Sequence, residues 1–275
     1  MPDFDISVLA LPLFLPADRI ERYGKAFGAG ADAVILDLED GVAPDRKDQA
    51  RAALAGQRAA IAAAPCPVLV RINASGSADQ PADIAAIASL PLAAIMLPKA
   101  ESAANVAAIA KASGRAVLAL IESAKGVAAA REIASTGARL AFGSIDYAAD
   151  IGCAQTRQAL LMTRSELVLA SRLAGIAPPL DGVTTSTKDA ALVRHDAAHA
   201  AEMGFAGKLL IHPAQLEPAR DGFRPPADEV AWAVRVLEAG RGQGATAVSG
   251  DMVDAPVLLR AECILARHRT FGKYA

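Results

Sequence analysis

The 275-residue chain has few cysteines, few aromatic side chains and almost no net charge. Its three cysteines (Cys66, Cys153 and Cys263) are far apart and form no C-x-x-C pair, which argues against a disulfide framework or a zinc knuckle. The 28 Lys and Arg residues against 30 Asp and Glu residues leave a formal net charge of -2, which excludes the basic surface that nucleic acid requires. We therefore expect a cytoplasmic globular protein that binds neither nucleic acid nor membranes.

Long hydrophobic runs are also missing, although 53% of the residues are hydrophobic. Much of this fraction is alanine, and no apolar stretch approaches the roughly 18 residues that a membrane-spanning helix needs. The residues from Met1 to Asp5 are acidic and lack the basic segment with which a signal peptide starts. These absences predict a chain without membrane-spanning or secretory segments.

Short apolar segments alternate with longer segments of helical spacing along most of the chain. Continuously apolar strands are typical of a parallel sheet that is covered on both faces. The predicted strands lie at residues 11–15, 33–38, 68–72, 94–97, 116–121, 140–142, 180–183 and 208–211. Eight strands with intervening helices favour a (β/α)₈ barrel, an α/β fold, over an open doubly wound sheet, which stays the alternative.

The composition changes near residue 240. Helical spacing marks the segments between the strands, at residues 46–63, 102–111, 156–173 and 190–203. The glycine-rich run 240–244 follows, and a further helical pattern covers 255–269. We predict a catalytic barrel over residues 1–240 and a C-terminal helical extension over 241–275, which packs outside the barrel or on a neighbouring subunit.

Charged side chains follow seven of the eight predicted strands. In a barrel the carboxyl ends of the strands converge on one mouth, where catalytic groups of this fold lie. A charged residue at a single strand end is usually a solvated loop residue. Charged residues at seven strand ends indicate a polar site. The residues are Asp37, Glu39, Asp40, Arg71, Lys99, Glu122, Asp146, Asp181 and His212.

Two of these carboxylates, Glu122 and Asp146, follow neighbouring strands and are candidates to share one divalent cation. Two carboxylates completed by water and substrate oxygens are a usual set of ligands for Mg²⁺. The alternative is that both carboxylates form salt bridges with Arg71 and Lys99. Spacing alone does not decide between these interpretations.

The cations of the predicted mouth also have alternative roles. Arg71 is able to hold a substrate carboxylate through two parallel hydrogen bonds, or it is a structural partner of Glu39 or Asp40. Lys99 is a candidate for a Schiff base, as in class I aldolases, or for a simple charge partner.

A second metal candidate lies on a predicted helix. His195 and His199 are four residues apart, as in a helical zinc pair, but the segment has the pattern of the outer face of a barrel helix, and no third ligand is expected beside it.

Eight motifs carry a resemblance to a known family. They follow one another along nearly the whole chain: Phe14–Arg19, Val34–Pro44, Val70–Asn73, Met96–Glu101, Ile121–Ala124, Phe142–Asp146, Ile211–Pro213 and Gly250–Asp254. In this order they resemble the citrate lyase beta-subunit-like family, the CoA-ester lyase branch of the HpcH/HpaI aldolase superfamily. The resemblance implies a trimer-forming (β/α)₈ barrel that makes or breaks a carbon–carbon bond in acyl-CoA thioesters with Mg²⁺, for which Mn²⁺ is a substitute.

The resemblance also implies roles for residues at the mouth. Glu122 and Asp146 stand where the metal ligands stand, and Arg71 where the substrate carboxylate or carbonyl is held. Glu39 and Asp40 stand where acids orient metal-bound water and the arginine.

The same resemblance places the CoA part of the substrate and a catalytic acid. Phe14, Arg19 and Lys25 fall at positions that contact CoA, and Ile211 with His212 flanks the same pocket. The last of these motifs ends on Asp254, which matches an acid that reaches the active site of a neighbouring subunit.

The chain departs from many relatives at two places. Ala10 and Leu11 replace an Arg-Ser pair before the first strand, and Ile145 replaces a glutamate at the substrate pocket. Neither change removes a predicted metal ligand.

The expected activity is the Mg²⁺-dependent cleavage of (3S)-citramalyl-CoA to acetyl-CoA and pyruvate by a homotrimer, or a dimer of trimers, with shared active sites. The alternatives are a malyl-CoA or citryl-CoA lyase, a malyl-CoA thioesterase, a class II pyruvate aldolase that acts without CoA, and a non-catalytic assembly subunit.

Overall fold

A computed structural model describes residues 4–240, 246–248 and 251–272. Most of the glycine-rich run predicted as a connector, and Gly250, lie outside these residues. Eight parallel strands form one sheet in the order of the sequence. They are β1 (Pro12–Pro16), β2 (Ala33–Asp37), β3 (Val68–Arg71), β4 (Ala94–Leu97), β5 (Ala116–Ile121), β6 (Arg139–Phe142), β7 (Leu180–Asp181) and β8 (Gly207–Lys208).

The sheet closes between its last and first strands. The backbone N–H of Leu210 donates to Pro12 O at 3.0 Å, and the N–H of Phe14 donates to Leu210 O at 2.8 Å. These bonds join the segment after β8 to β1, so the predicted (β/α)₈ barrel is confirmed and the open sheet is excluded.

Alternate residues of the strands belong to two apolar layers, as the two-residue period of a strand requires. One layer fills the barrel and includes Ile35, Leu69, Met96, Leu118 and Leu209. The other packs under the helices and includes Leu36, Val70, Ile95, Ala119 and Phe142.

Buried Arg139 fixes the segment that precedes β1. Its guanidinium Nη1 donates to Ile6 O and Leu9 O, both at 2.6 Å, and Nε donates to Pro178 O at 3.0 Å. Burial lowers the pKa of Arg139 to about 10. Three backbone carbonyls thus accept from Nε and Nη1 of this buried cation, which has no carboxylate within salt-bridge distance among the described residues, while its Nη2 is buried without a hydrogen-bond partner.

Helices connect the strands and continue beyond them. They are α1 (Tyr23–Phe27), α2 (Lys47–Ala55), α3 (Arg58–Ala62), α4 (Gln80–Ile87), α5 (Ala103–Ser113), α6 (Ala124–Ala128), α7 (Ala130–Ser135), α8 (Ser144–Ile151), α9 (Leu161–Leu173), α10 (Ala190–Met203), α11 (Leu216–Phe223), α12 (Ala227–Gly240) and α13 (Ala255–Phe271). None of the helices in the described ranges is long and apolar enough to cross a bilayer.

The C-terminal helices form a small packing unit of their own. Helices α12 and α13 share a cluster of Ala233, Val236, Ala261 and Ile264, which is separate from the barrel layers. A short antiparallel hairpin of β9 (Thr246–Val248) and β10 (Asp251–Val253) lies between them in the chain. The predicted C-terminal helical part is present, while the domain boundary at residue 240 stays a prediction.

Candidate active site

A cavity of about 450 Å³ opens where the strands end. Its lining contains both charged and apolar side chains. The lining includes seven of the predicted site residues, namely Phe14, Asp40, Arg71, Glu122, Ile145, Asp146 and Ile211. The fold therefore brings most of the predicted site together in one place.

Arg71 is held by Asp37, a partner that the sequence interpretation missed. Arg71 Nε donates to Asp37 Oδ1 at 2.7 Å, and Nη2 donates to Oδ2 at 2.6 Å. The two residues are also partners in the register of β2 and β3. Their facing positions at the ends of two paired strands bring the two side chains together, and this strand register is not evident from the sequence alone.

The Asp37 carboxylate is itself fixed by the backbone that follows it. It accepts the N–H groups of Glu39 at 2.9 Å and of Gly41 at 2.8 Å. A Cβ at position 41 would lie 2.4 Å from Asp37 Oδ2, so this close approach requires glycine. The arginine is thus oriented before any substrate binds.

Buried Glu39 lies between two cations. Its Oε2 is 3.0 Å from Arg71 Nη1, and its Oε1 accepts from Lys99 Nζ at 2.5 Å. Burial raises the pKa of Glu39, while the charges of Arg71 and Lys99 oppose that shift. The Phe14 ring covers the guanidinium at 4.9 Å from its centroid, whereas Asp40 is exposed at the rim.

Lys99 has a conformation that is unusual for its residue type. Its φ of +46° is the one positive value at a non-glycine residue in the described ranges, and it costs on the order of 1 kcal/mol. Although burial opposes it, the ion pair with Glu39 raises the pKa of Lys99. A Schiff base needs a neutral amine, so this environment argues against the class I alternative for Lys99.

The two predicted metal ligands have a different environment. Neither Glu122 nor Asp146 has a charged side-chain nitrogen of Lys, Arg or His within 4.0 Å in the part of the chain that the structure describes, because Arg71 and Lys99 pair with Asp37 and Glu39 instead. The predicted alternative of salt bridges to Glu122 and Asp146 is therefore wrong.

Glu122 is buried without a compensating charge in contact. Burial first, and then the charges of Glu39 and Asp146, raise its pKa to about 8. Its Oε1 accepts the backbone N–H of Lys99 at 2.8 Å. A Cβ at Gly143 would lie 2.4 Å from Glu122 Oε2, so the glycine leaves the space that this carboxylate occupies.

These residues fit a divalent cation. An uncompensated pair of acids at a cavity gains from a cation, which offsets their mutual repulsion. The described residues contain no cluster of three or more potential ligands, so the pair would leave other positions for water and substrate oxygens, as Mg²⁺ prefers.

A second cavity of about 440 Å³ adjoins the first and shares Phe14, Pro16 and Ile211 with it. Lys25 and His212, both predicted at the CoA pocket, line this second cavity. Predicted Arg19 lines neither cavity; its side chain is half-exposed and lies 3.8 Å from Asp18.

Two other candidates lie away from the mouth of their own chain. Asp254 caps α13, where its Oδ1 accepts the N–H of Val257 at 3.2 Å, and it is exposed. His195 and His199 lie on α10, and the described residues supply no third ligand beside them.

The model of the HpcH/HpaI aldolase/citrate lyase family matches residues 11–213. The chain belongs to this family. It is therefore an enzyme of the lyase type, and both the predicted family and the predicted enzyme class are confirmed.

Individual relatives agree with this assignment over nearly the whole chain. A citrate lyase subunit beta-like protein of Mycobacterium tuberculosis is 42% identical over 265 residues, which are 93% of this chain and 94% of that protein. A (3S)-malyl-CoA thioesterase of Cereibacter sphaeroides is 35% identical and covers 95% of both chains. The crystal structure of CitE from M. tuberculosis, in complex with magnesium, acetoacetate and coenzyme A, superposes with a TM-score of 0.82 at 41% identity and covers 94% of this chain and 97% of that chain.

Proposed function

We propose that the chain is a Mg²⁺-dependent lyase that cleaves a 3-hydroxy-3-carboxyacyl-CoA, with (3S)-citramalyl-CoA split into acetyl-CoA and pyruvate. The main support is one juxtaposition in the mouth cavity: two carboxylates without a cation partner, Glu122 and Asp146, share it with the oriented guanidinium of Arg71. This set suits a substrate that is both a metal chelator and an anion.

In this proposal Glu122 and Asp146 hold Mg²⁺, the metal present with CoA in the related M. tuberculosis structure. When bound, the metal supplies Lewis-acid polarisation of the substrate oxygens. Asp40, exposed at the rim of the cavity, and Glu39 are proposed to orient water around the ion.

Arg71 acts on the substrate carboxylate. Asp37 occupies Nε and one N–H of Nη2, and Glu39 lies 3.0 Å from Nη1, so the guanidinium approaches the substrate with the one Nη1 and one Nη2 hydrogen that these acids leave. Its charge favours binding of the carboxylate and stabilises negative charge that develops at the C3 oxygen.

The proposed cleavage removes one proton from the C3 hydroxyl and adds one proton to C2. The C3 hydroxyl gives its proton to water in the cavity, the C2–C3 bond breaks, C3 becomes the ketone of pyruvate, and the electron pair of the bond enters the thioester enolate. Asp254 of a neighbouring subunit then donates a proton to C2, which yields acetyl-CoA. In this proposal residues 241–275 close over the neighbouring barrel of a homotrimer, and closure also keeps water from the enolate.

The wall of the cavity favours a methyl group at C3. Ile145, Val183 and Leu209 are apolar lining residues that in this proposal form one apolar side, and Arg71 is the one cation among the described lining residues. A citryl group would bring a second carboxylate to this apolar side and leave it without a charged partner. A malyl group would leave the space of the methyl empty.

The CoA part is proposed to lie in the second cavity. Lys25 and Arg22 supply positive charge for phosphates, and Phe14 with Ile211 connects this cavity to the first. In this proposal the exposed side chain of Arg19 contacts CoA only at the edge of the second cavity.

The experiment is a panel of (3S)-citramalyl-CoA, malyl-CoA and citryl-CoA with Mg²⁺, in which acetyl-CoA, free CoA and each oxo acid are quantified. The proposal expects acetyl-CoA and pyruvate in equal amounts from citramalyl-CoA, with the highest kcat/KM of the panel. The related (3S)-malyl-CoA thioesterase favours a second candidate, for which free CoA and malate would be the products. Cleavage of hydroxy-oxo acids without CoA would indicate a class II aldolase instead.

A further inference from the structure

We propose that Lys99 is a positioning residue that couples the metal-binding carboxylate to the substrate-binding arginine, an inference that rests on the proposed function. Its backbone N–H donates to Glu122 Oε1 at 2.8 Å, and its ammonium donates to Glu39 Oε1 at 2.5 Å. Glu39 Oε2 in turn lies 3.0 Å from Arg71 Nη1. One residue therefore contacts both halves of the site, through its backbone on one side and its side chain on the other.

The backbone of Lys99 indicates that this side chain has a function. The residue follows Pro98 and has a φ of +46°, a combination in which glycine or asparagine is usual. A lysine retains a left-handed conformation only where the surroundings compensate for the strain, and such residues cluster at functional sites. The structure supplies the compensation in the two contacts to Glu39 and Glu122.

The charge of Lys99 has a consequence for the substrate. Asp37, Arg71, Glu39 and Lys99 form a continuous line of ion pairs with two negative and two positive members. This line is neutral as long as the ammonium is present. Without the ammonium, it carries one net negative charge beside the guanidinium that receives the substrate carboxylate, and the anion is then repelled.

Loss of the Lys99 ammonium has the opposite effect on the binding of a metal ion. An added negative charge attracts a divalent cation at Glu122, so removal of the ammonium leaves metal affinity unchanged or increases it. If Lys99 only stabilised the local structure, its replacement would instead weaken metal binding and catalysis together. Opposite effects on the cation and on the anionic substrate are therefore the signature of the proposed role.

The test compares Lys99→Met, Lys99→Gly and Lys99→Arg in the full-length protein. Lys99→Met removes the charge and keeps most of the side chain. Lys99→Gly removes the charge at a φ that glycine adopts freely, so it tests the proposal if the methionine variant does not fold. Lys99→Arg keeps the charge. Exposed Lys111 on α5 provides the control, Lys111→Met.

Two quantities are measured for each variant: the dissociation constant of Mn²⁺ without substrate, and kcat/KM for the thioester that the wild type cleaves. For Lys99→Met and Lys99→Gly we expect kcat/KM to fall by about 30-fold or more, with Mn²⁺ affinity equal to or up to about threefold tighter than in the wild type. We expect Lys99→Arg to recover most of the loss and Lys111→Met to match the wild type.

Wild-type kcat/KM in the uncharged variants, or a Mn²⁺ affinity that falls with kcat/KM, would overturn the proposal for Lys99. A wild type that cleaves no thioester of the panel would refute the proposed function instead. In that case Mn²⁺ affinity lost in Lys99→Gly would still count against Lys99, because this readout needs no turnover.

Discussion

The substitution Gly143→Ala tests whether Glu122 must occupy its observed position. Gly143 has a φ of -92° and a ψ of 75°, close to the inverse γ-turn conformation that alanine also adopts, so the variant acts mainly through its added methyl group. The ideal Cβ lies 2.4 Å from both Cβ and Oε2 of Glu122, about 1 Å inside ordinary contact distance. Rotation of the carboxylate does not relieve the contact to Glu122 Cβ, so the whole side chain has to move.

The expected cost follows from this geometry. Overpacking of this kind costs about 1–3 kcal/mol, and a displacement of about 1 Å at reacting groups costs on the order of 100-fold in rate. We expect Gly143→Ala to bind Mn²⁺ at least about tenfold more weakly and to lose about 100-fold in kcat/KM at saturating Mg²⁺.

The assay combines a Mn²⁺ titration with steady-state kinetics and a melting curve. The matched control is Gly56→Ala, since Gly56 has a φ of -70° and the nearest atom to its Cβ lies at 3.4 Å, in ordinary contact. Wild-type metal affinity and wild-type rate in a folded Gly143→Ala protein would refute the assignment of Glu122 as a metal ligand.

Three further predictions address the metal, the arginine and the shared acid. Activity is expected to vanish in EDTA and to return with Mg²⁺ or Mn²⁺, and Glu122→Gln or Asp146→Asn should lower the rate by several orders of magnitude in a folded protein; full activity in EDTA would contradict the metal assignment. Arg71→Lys should lose roughly 2 kcal/mol or more of transition-state stabilisation in kcat/KM, because lysine cannot form the paired contacts with Asp37; an unchanged kcat/KM would contradict this role. A mixture of inactive Arg71→Ala and Asp254→Ala chains should regain partial activity after subunit exchange, whereas mixed oligomers without activity would show that Asp254 does not act across subunits.

The barrel was predictable because the apolar strands stand out in an alanine-rich chain. The predicted and observed bounds of β4 and β5 coincide, and α10 spans the predicted residues 190–203. The predicted helix over 46–63 is instead two helices, α2 and α3, because α2 ends at Ala55 and Gly56 caps it. Strands β7 and β8 pair over two residues each, since the chain after them turns into the loops that line the mouth.

The location of the site was predictable, but its charge pairing was not. Strand ends identify which acids and bases meet, whereas the choice of Asp37 and Glu39 as partners of Arg71 depends on strand register and side-chain reach. The left-handed conformation of Lys99 had no residue-type signal, because lysine rarely adopts it. The position of Asp254 relative to another subunit is likewise a property of the assembly and not of one chain.

The most direct test of the proposed cleavage is a single turnover of (3S)-citramalyl-CoA in D₂O with Mg²⁺, analysed by mass spectrometry. A carbon–carbon lyase that forms an enolate must place one solvent-derived proton on C2. We expect pyruvate and an equal amount of acetyl-CoA with one deuterium in its methyl group, and neither product in Glu122→Gln. Free CoA with intact citramalate, or acetyl-CoA without deuterium, would contradict the proposed reaction.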